Sequence, residues 1–376
     1  MKIFFAIKSL DNISGGAERV LADVTHGLAE RGYDVSVLTC DPYYASSFYS
    51  LHPNVTLINL GIGKSAKKAT LRETLHRVIA LRRYFVQNNP DVVIGFMHSM
   101  YIPLGIALAG TKVPLIASEH IVFEHYKHRP IEYLLLQLTP YLTKKMTVIS
   151  EKVRSGFNSH LKKHMTVIPN PVCIPVECRA DVVGLSFSRK SVLSVGRLSP
   201  QKDHKTLIDA FALLADDFPE WDLRIVGEGE LRSELEGKIT MLKLQERIEL
   251  VGTKQKVSEE YFRAQLFVMP SLYESFGLAT AEALAHGLPV LGFADCPGTN
   301  ELIKHEKNGI LVQGADRVTC LADGLRRLMS APNLRQLFGN AGPNSMAEFS
   351  KESICHVWEE LLRTYAQNAS MRDAAK

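Results

Sequence analysis

The sequence predicts an α/β protein built from two doubly wound parallel sheets. Short β-branched runs alternate with amphipathic helical stretches along most of the 376 residues, and this alternation is typical of parallel strands joined by crossover helices. The turn-rich segment Pro169-Asn170-Pro171-Val172 interrupts the alternation and indicates a domain boundary. We therefore expect one domain over residues 1–172, a second over residues 173–350, and a C-terminal helix within residues 351–376.

The strands of both domains can be placed from these runs. In the first domain we expect strands at residues 2–7, 35–38, 55–60, 92–96, 115–118, 146–149 and 166–168. In the second domain we expect strands at residues 192–195, 222–226, 248–251, 266–269, 290–292 and 310–312. The C-terminal helix should bury an apolar stripe, and its tail should fray from Ser370 onward. The stripe consists of Ile354, Val357, Trp358, Leu361, Leu362 and Tyr365.

The composition is that of a chain with a large core. Hydrophobic residues make up 46% and charged residues 22% of the chain, which argues against disorder. There is no apolar run of roughly 18 residues, and the apolar start at residues 1–7 is too short for a signal peptide. The six cysteines include no C-x-x-C pair, which disfavours a zinc site and indicates reduced thiols in a cytosolic protein.

The charge is unevenly distributed along the chain. Residues 1–170 contain 20 Lys and Arg against 12 Asp and Glu, so this half carries +8 and the remainder −4. A basic half favours anionic surfaces. Charge alone does not distinguish a membrane from nucleic acid, or either from scattered solvated side chains.

A glycine pair follows the first predicted strand. In open parallel sheets ligands bind at the carboxyl ends of strands, and here Gly15 and Gly16 lead into a helix. Glycine lets the backbone approach a phosphate, and the free N–H groups of a helix start attract anions. The spacing differs from the G-x-G-x-x-G pattern, which disfavours an NAD enzyme. A glycine pair before a helix is also ordinary turn chemistry.

Two cations follow the first strand of the second domain. Arg197 and Lys202 lie between a strand end and a helix. Arg offers a planar fork of donors and Lys a compact charge, so the two can offset the charge of a nucleotide leaving group. The alternative is a solvated pair without a ligand.

Two carboxylates border a later helix start. Glu274 precedes this helix and Glu282 lies inside it. A carboxylate can accept hydrogen bonds from two neighbouring sugar hydroxyls, and the N–H groups of Phe276, Gly277 and Leu278 can hold phosphate or sugar oxygens. Glutamates near a helix start also occur simply as partners of the helix dipole.

In their order along the chain, these residues resemble glycosyltransferase family 4. The resemblance covers nearly the whole sequence. It is carried by residues 15–20 (GGAERV), 118–120 (SEH), 148–151 (VISE), 168–171 (IPNP), 195–198 (VGRL), Lys202, 223–229 (LRIVGEG), Glu274 with Glu282, and 287–290 (GLPV). It implies two facing Rossmann-like domains (the GT-B fold), a C-terminal helix that crosses back to the first domain, and retaining transfer from a nucleotide-diphosphate sugar.

The chain is most similar to the branch of this family that makes bacterial exopolysaccharide, capsule and O-antigen units, including amylovoran-type galactosyltransferases. Residues 46–49, 55–60, 118–120 and 293–297 carry this likeness. The chain departs from the branch at residues 297–301, which leaves the donor sugar open.

The resemblance implies a role for each matching residue in catalysis or at the diphosphate. Arg197 and Lys202 would hold the donor diphosphate, and Gly15 and Gly16 would meet it from the other domain. His120, just after a strand, would contact the reacting sugar.

The resemblance also implies the remaining donor contacts. Glu282 would accept hydrogen bonds from the ribose hydroxyls. The transferred sugar would be oriented by Glu274, Ser275 and the amides of Phe276, Gly277 and Leu278. The nucleobase would lie near Gly227, Val251 and Thr253.

The expected mechanism needs no metal ion and no other cofactor. No Asp-x-Asp pair suggests a bound divalent ion, and two cations with helix N–H groups can stabilise the leaving nucleotide. Retention then implies front-side attack by the acceptor hydroxyl, with the departing phosphate taking the proton. Glu274 as a covalent nucleophile is the alternative, but it lacks a clear acid/base partner. Domain closure about a hinge at residues 169–173 would complete the site.

The acceptor is expected to bind to the first domain. A basic stretch and two apolar segments, at residues 101–109 and 133–142, suit peripheral attachment to the inner face of a bacterial cytoplasmic membrane. The basic stretch consists of Lys64, Lys67, Lys68, Arg72, Arg77, Arg82 and Arg83. The acceptor would be linked to undecaprenyl diphosphate or to a lipid A core. Alternatively, both apolar segments are buried crossover helices.

We therefore expect a hexosyltransferase that moves galactose from UDP-galactose to a lipid-linked glycan, without nucleic acid as a partner. An epimerase on the same scaffold would act without an acceptor, and a phosphorylase would need a cofactor-binding lysine and a far longer chain. A non-catalytic nucleotide-sugar-binding scaffold protein would be marked by loss of Arg197, Lys202, Glu274 or Glu282. All four are present.

Overall fold

The computed structural model describes residues 1–62, 70–127, 129–175 and 179–374. The chain divides into two compact units. The first unit comprises Met1–Pro171 and Lys351–Lys376, and the second comprises Val172–Ser350. Each unit contains one parallel sheet, which confirms the predicted α/β class.

The first unit contains a seven-stranded sheet. Its strands are β1 (Lys2–Ala6), β2 (Asp34–Thr39), β3 (Thr56–Asn59), β4 (Val92–Phe96), β5 (Leu115–Glu119), β6 (Lys145–Val148) and β7 (Met165–Val167). Their order across the sheet is β3-β2-β1-β4-β5-β6-β7. All seven predicted strands are present, with ends that differ by at most one residue from the prediction.

The helices of this unit lie between the strands. They are α1 (Gly16–Glu30), α2 (Leu71–Asn88), α3 (His98–Leu108), α4 (Pro130–Leu136), α5 (Thr139–Leu142), α6 (Glu151–Gly156) and α7 (Ser159–His164), with a 3-10 turn at Phe123–Tyr126. Helix α2 begins with a capping box, because the Thr70 side chain accepts from the Glu73 amide and Glu73 accepts from the Thr70 amide.

The crossover direction separates these helices into two layers. The β1-to-β2 and β2-to-β3 connections run toward one edge of the sheet, whereas the connections after β3 run toward the other. Because crossovers are right-handed, α1 covers one face, and α2, α3, α4, α5 and α7 cover the opposite face. Contacts of α3 with α2, α4 and α5 agree with this arrangement.

The second unit contains a six-stranded sheet. Its strands are β8 (Lys190–Val195), β9 (Trp221–Val226), β10 (Ile248–Gly252), β11 (Leu266–Met269), β12 (Val290–Phe293) and β13 (Gly309–Val312), in the order β10-β9-β8-β11-β12-β13. The helices are α8 (His204–Ala212), α9 (Arg232–Met241), α10 (Ser258–Arg263), α11 (Leu278–Ala285), α12 (Thr299–Leu302), α13 (Arg317–Ser330) and α14 (Pro332–Ser345). The strand order reverses between β8 and β11, where open sheets bind ligands.

Helix α15 (Lys351–Ala374) belongs to the first unit, where it packs on α1. The rings of Trp358 and Phe5 are 6.2 Å apart, and Arg31 lies 3.5 Å from Glu359. The predicted stripe is wrong at Val357, which is 37% exposed because it faces away from this contact. Helical backbone continues to Ala374, past Ser370.

The two apolar segments behave differently. Residues 101–108 lie in α3, and in this range every residue except Ile106 is buried. Residues 133–142 instead expose Leu134, Leu138 and Tyr141. Among the described residues, no helix combines the length and the apolar character needed to cross a membrane. Cys40, Cys296, Cys320 and Cys355 are free thiols, and Cys178 lies outside the described residues.

Candidate functional site

The loop after β8 carries the two cations of the second unit. Leu198 is fully buried and anchors this loop. The Arg197 side chain is exposed, and no hydrogen bond or ion pair joins it to any residue that the structure describes. Lys202 ends a 3-10 turn at Pro200–Lys202. Arg197 is therefore available to bind an anion at this edge of the sheet.

Lys202 is paired with Glu274, which follows the adjacent strand β11. The Lys202 Nζ atom lies 2.6 Å from Glu274 Oε1, and the Ser271 hydroxyl donates to the same oxygen at 2.6 Å. The two charged side chains are 18% and 9% exposed. An ion pair that is partly removed from water but still reachable can rearrange when a charged ligand arrives.

Close backbone contacts hold these loops together. A Cβ atom on Gly227, which has a φ of 143°, would lie 2.1 Å from the Gly196 carbonyl oxygen. A Cβ atom on Gly298 would lie 2.6 Å from the Glu274 carbonyl oxygen. Only glycine permits this packing, so the loops after β8, β9, β11 and β12 meet at one edge of the sheet.

Helix α11 begins beside Glu274. Gly277 is its N-cap residue, with a φ of 85°, and the first N–H groups of the helix have no partner within it. The Phe276 side chain is buried and packs against Phe349 at 5.4 Å, so only its backbone can contact a ligand. Ser275 and Leu278 are half-buried. The helix start can therefore hold an anion or sugar oxygens.

Glu282 lies one helical turn further along α11. It accepts a hydrogen bond of 3.0 Å from the Tyr261 hydroxyl, which lies on α10. The Tyr261 ring is 5.0 Å from that of His286. The sequence predicts Glu282 but not Tyr261, which reaches Glu282 from a separate helix. It also does not single out Ser271, although this residue lies in the same loop as Glu274, three positions earlier.

The predicted base-binding residues follow β9 and β10. The Gly227 amide donates to the Gly252 carbonyl at 2.9 Å, which joins the two strand ends. Thr253 is exposed and Val251 is half-buried. The second unit thus brings Gly227, Val251 and Thr253 to the same sheet edge as Arg197, on neighbouring strands.

The glycine pair of the first unit lies at the start of α1. Gly15 is the N-cap residue, and Gly16 is the first helical residue. A Cβ atom on Gly16 would meet nothing within 4 Å, so no protein neighbour requires glycine at this position. Open space at a helix start suits the approach of a phosphate.

His120 follows β5 in the first unit. Its ring stacks on Phe96 at 4.8 Å, and burial lowers its pKa to about 4. The Thr147 hydroxyl donates to Ser118 Oγ at 3.0 Å, and Ser118 Oγ lies 3.0 Å from His120 Nε2. His120 is therefore neutral near pH 7 and can form hydrogen bonds with a sugar but cannot contribute a positive charge.

A second polar cluster surrounds the residue before His120. Glu119 is completely buried and accepts hydrogen bonds from Tyr101 and Tyr126. Tyr126 also contacts His98, which follows β4. No local motif in the sequence links these tyrosines to Glu119, so neither is predicted as a site residue.

The two parallel-sheet α/β units define the GT-B class of glycosyltransferase folds. A family model described as "Glycosyltransferase Family 4" matches residues 14–174, and one described as "Glycosyl transferases group 1" matches residues 182–345. The chain belongs to glycosyltransferase family 4, as the resemblance predicted, and it is a glycosyltransferase.

Several bacterial proteins are similar to the chain over its full length. One is the alpha-1,4-N-acetyl-D-galactosaminyltransferase of Campylobacter jejuni that acts on GalNAc-alpha-(1->4)-GalNAc-alpha-(1->3)-diNAcBac-PP-undecaprenol; it is 28% identical over 98% of this chain and 99% of its own. The amylovoran biosynthesis glycosyltransferase AmsD of Erwinia amylovora is 26% identical over 96% of this chain and 99% of its own. The Anabaena protein HepE, solved in complex with UDP-glucose, superposes with a TM-score of 0.78 at 19% identity, over 97% of this chain and 100% of its own.

Proposed function

We propose that this glycosyltransferase moves a hexose from a nucleotide-diphosphate donor to a lipid-linked glycan in the synthesis of a bacterial surface polysaccharide, with UDP-galactose as the first donor to test. The observation that carries this proposal is the exposed Arg197 side chain, unpaired among the described residues, on the same loop as Lys202, whose partner Glu274 precedes the start of α11. This arrangement offers cations and helix N–H groups for a diphosphate, and carboxylates for sugar hydroxyls.

The same residues suggest how the reaction proceeds. Arg197 and Lys202 would stabilise the charge that develops on the departing nucleotide, and the free amides of α11 would add to this without a metal ion. Glu274 would orient the transferred sugar, because one of its oxygens already binds Lys202 and Ser271. The acceptor hydroxyl would attack from the side of the leaving phosphate, which would retain the anomeric configuration.

The relatives support the choice of substrates. The C. jejuni enzyme acts on an undecaprenyl-diphosphate-linked oligosaccharide, AmsD functions in amylovoran biosynthesis, and HepE binds UDP-glucose. A nucleotide sugar and a lipid-linked glycan are therefore the substrates to test first.

The test is a panel of UDP- and GDP-sugars with EDTA present and with membranes that contain lipid-linked glycans. Release of nucleotide from one donor, dependent on the acceptor, is the expected result, and anomeric analysis of the product should show retention. Nucleotide binding without release from any donor would contradict catalysis. Conversion of the donor without an acceptor would indicate an epimerase. Loss of activity in EDTA that Mg²⁺ restores would contradict metal independence.

We further propose that the enzyme attaches peripherally to the inner face of the cytoplasmic membrane through the helix layer opposite α1. Large apolar side chains are exposed on several helices of this layer. They are Leu75, Ile79 and Val86 on α2, Ile106 on α3, and Ile131, Leu134, Leu135, Leu138 and Tyr141 in the α4–α5 segment. Exposed apolar residues on neighbouring elements are typical of an interaction surface.

The charge of the same segment favours an anionic lipid surface. Residues 70–164 contain 13 Lys and Arg against 6 Asp and Glu. Arg72 and Arg83 are exposed on α2, and Lys144 and Lys163 are exposed near Tyr141, whose ring lies 5.7 Å from His160. Lys64, Lys67 and Lys68, also predicted to contribute, lie outside the described residues. Apolar anchors with basic neighbours are typical of peripheral membrane binding.

Liposome sedimentation tests this attachment. We expect binding to phosphatidylglycerol vesicles at low salt, weaker binding to phosphatidylcholine, and a loss of binding in Leu134→Ser/Leu138→Ser. Leu213→Ser, at a position 60% exposed in the second unit, is the matched control. Absence of sedimentation of the unmodified protein at low salt would contradict the attachment.

A further inference from the structure

An arginine of helix α2 is buried without a partner. Arg77 belongs to the basic stretch that the sequence predicts to face a membrane, yet it is only 6% exposed. Its Nε atom is buried and has no hydrogen-bond partner. No hydrogen bond or ion pair joins the Arg77 side chain to any residue that the structure describes. A buried cation without a partner is energetically costly, so its presence requires a physical reason.

The spacing along α2 shows how Arg77 comes to be buried. Arg77, Leu81 and Phe85 are four residues apart and share one face of the helix. Leu81 and Phe85 are fully buried in the core of the first unit. An apolar side chain at position 77 would continue this face, whereas arginine places a charge at the edge of the core.

This charge lies at the carboxyl ends of the first two strands. Burial raises the pKa of the Cys40 thiol, which follows β2, and the charges of Arg77 and Lys8 oppose this effect. Lys8 lies two residues after β1, and its carbonyl accepts from the Cys40 amide at 3.1 Å, which joins the two strand ends. Ligands bind at the carboxyl ends of strands in open parallel sheets, so Arg77 lies at an edge suited to a ligand.

The carboxylates around Arg77 have other partners. Glu73, one turn earlier on α2, is exposed and completes the capping box of the helix. Asp41 accepts a hydrogen bond of 2.8 Å from the Leu10 amide, and no ion pair joins it to Arg77. Residues 63–69, which lie outside the described ranges, contain no Asp or Glu. A carboxylate of the chain therefore does not account for the charge of Arg77.

Two other arginines show what a structural role requires in this protein. Arg335 is 1% exposed and donates to four backbone carbonyls at 2.7 to 3.2 Å. Arg82, also on α2, donates to the carbonyls of Ala107 and Ala109 at 2.8 and 2.9 Å. Arg77 has no such acceptors among the described residues, so it differs from an arginine that only ties backbone segments together.

We propose that Arg77 binds an oxyanion of the acceptor substrate, and that this group is the phosphate that joins the glycan to its lipid. The inference rests on the proposed function and adds an anion subsite to the first unit. The guanidinium group presents a planar fork of N–H donors that matches two phosphate oxygens. The two positive charges of Arg77 and Lys8 outnumber the single charge of Asp41 around Cys40, so this edge attracts an anion.

The first experiment needs no transferase activity. Melting temperatures are measured with and without inorganic pyrophosphate, in saturating UDP so that the donor site is occupied. We expect pyrophosphate to stabilise the unmodified protein, to stabilise Arg77→Lys less, and to leave Arg77→Leu unchanged. Arg83→Leu, at an exposed position on the same helix, is the matched control and should respond like the unmodified protein.

The melting temperature without pyrophosphate separates a binding role from a structural one. Arg77→Leu should melt no lower than the unmodified protein, because an apolar side chain beside Leu81 replaces an unpaired buried charge. A clearly lower melting temperature would show that the chain itself uses the charge, and would overturn the inference. The absence of a pyrophosphate effect on the unmodified protein, or an equal effect on Arg77→Leu, would overturn it as well.

Transfer kinetics assign the oxyanion to one substrate. The same glycan is supplied on a short prenyl diphosphate or on a neutral alkyl group, with the donor that the panel identifies. We expect Arg77→Leu to raise the half-saturating concentration of the diphosphate-linked acceptor about tenfold or more, without an effect on the neutral acceptor or on the donor. An equal effect on both acceptors would place the oxyanion on the glycan and overturn the phosphate assignment. An effect on the donor instead would overturn the acceptor role.

The two experiments separate this inference from the proposed function. If the unmodified protein transfers no sugar from any donor, the proposed function fails and the acceptor role of Arg77 fails with it. The pyrophosphate measurement still decides whether Arg77 binds an oxyanion. If transfer is observed but Arg77→Leu has unmodified acceptor kinetics, the inference alone is overturned.

Discussion

The Nζ atom of Lys202 lies 2.6 Å from Oε1 of Glu274, although the two residues are 72 positions apart in the chain. Lys202 is predicted to bind the donor diphosphate and Glu274 to bind the transferred sugar. The two side chains thus form one ion pair. The Ser271 hydroxyl, which donates to the same oxygen, fixes the position of the carboxylate. Binding of the diphosphate by Lys202 should therefore affect how Glu274 holds the sugar.

Lys202→Ala should weaken donor binding about 10- to 100-fold, because a charge-assisted hydrogen bond to phosphate is lost. It should nearly abolish transfer, since the cation acts most strongly on the leaving group. Calorimetric titration with UDP and a transfer assay would measure the two effects. Lys205→Ala is the control, because Lys205 is 58% exposed and pairs with Glu234 at the surface. Near wild-type turnover in Lys202→Ala would contradict the site assignment.

Glu282→Ala should weaken binding of the nucleoside part of the donor while the fold is preserved. Tyr261→Phe should have a smaller effect of the same kind, because the Tyr261 hydroxyl donates to Glu282 at 3.0 Å and orients it. We expect about a tenfold or greater loss of UDP affinity for Glu282→Ala and a few-fold loss for Tyr261→Phe. The comparison of UDP with 2′-deoxy-UDP and 3′-deoxy-UDP is the decisive measurement. If Glu282→Ala and the unmodified protein lost the same factor of affinity between UDP and its deoxy analogues, Glu282 would not contact the ribose hydroxyls.

Much of the fold and part of the site could be predicted because their signals are local. Strands buried on both faces give short apolar runs, so all thirteen strands were placed, with the largest error at Lys190, two residues before the predicted start of β8. Arg197, Lys202 and Glu274 follow strand ends within a few residues, and the topology of a parallel sheet brings such loops together.

The remaining features depend on packing, which a single sequence does not display. Tyr261, on α10, becomes a site residue only through its contact with Glu282 on α11. Leu134 belongs to an apolar segment whose sequence is equally compatible with a buried helix and with an exposed surface. In the structure Leu134 is 67% exposed. Whether an apolar face is covered depends on neighbouring elements distant in the chain.

Gly16→Ala should separate a phosphate-binding role from a structural one. The new Cβ atom would meet nothing within 4 Å, so the fold should be unchanged or slightly more stable. If the diphosphate approaches this helix start, the methyl group should weaken binding of the intact donor. We would measure thermal melting and the donor concentration at half-maximal rate. Unchanged kinetics in a correctly folded variant would exclude close phosphate contact at Gly16.

Gly227→Ala should destabilise the second unit, whereas Gly237→Ala should not. At Gly227 a Cβ atom would lie 2.1 Å from the Gly196 carbonyl oxygen, whereas at Gly237 it would meet nothing within 4 Å. We expect Gly227→Ala to lower the melting temperature and UDP affinity together, because the loop that carries Arg197 must move. Gly237→Ala lies within α9 and should stabilise the protein by up to about 1 kcal/mol. Equal melting temperatures for the two variants would contradict the close approach of the loops.

His204 should make the stability of the protein fall in mild acid. Its side chain is buried, its Nδ1 atom has no hydrogen-bond partner among the described residues, and burial together with the nearby charge of Lys202 lowers its pKa to about 3. In the unfolded chain its pKa is about 6.5, so between these two values the unfolded state binds more protons than the folded state. Stability should therefore be complete above pH 6.5 and should decrease as the pH falls toward 3. His204→Gln removes the titrating group, and its melting temperature should decrease less than that of the unmodified protein between pH 7 and about pH 5. The difference between the two calorimetric profiles isolates His204 from the other histidines, and parallel profiles would show that His204 is not held neutral in the folded state.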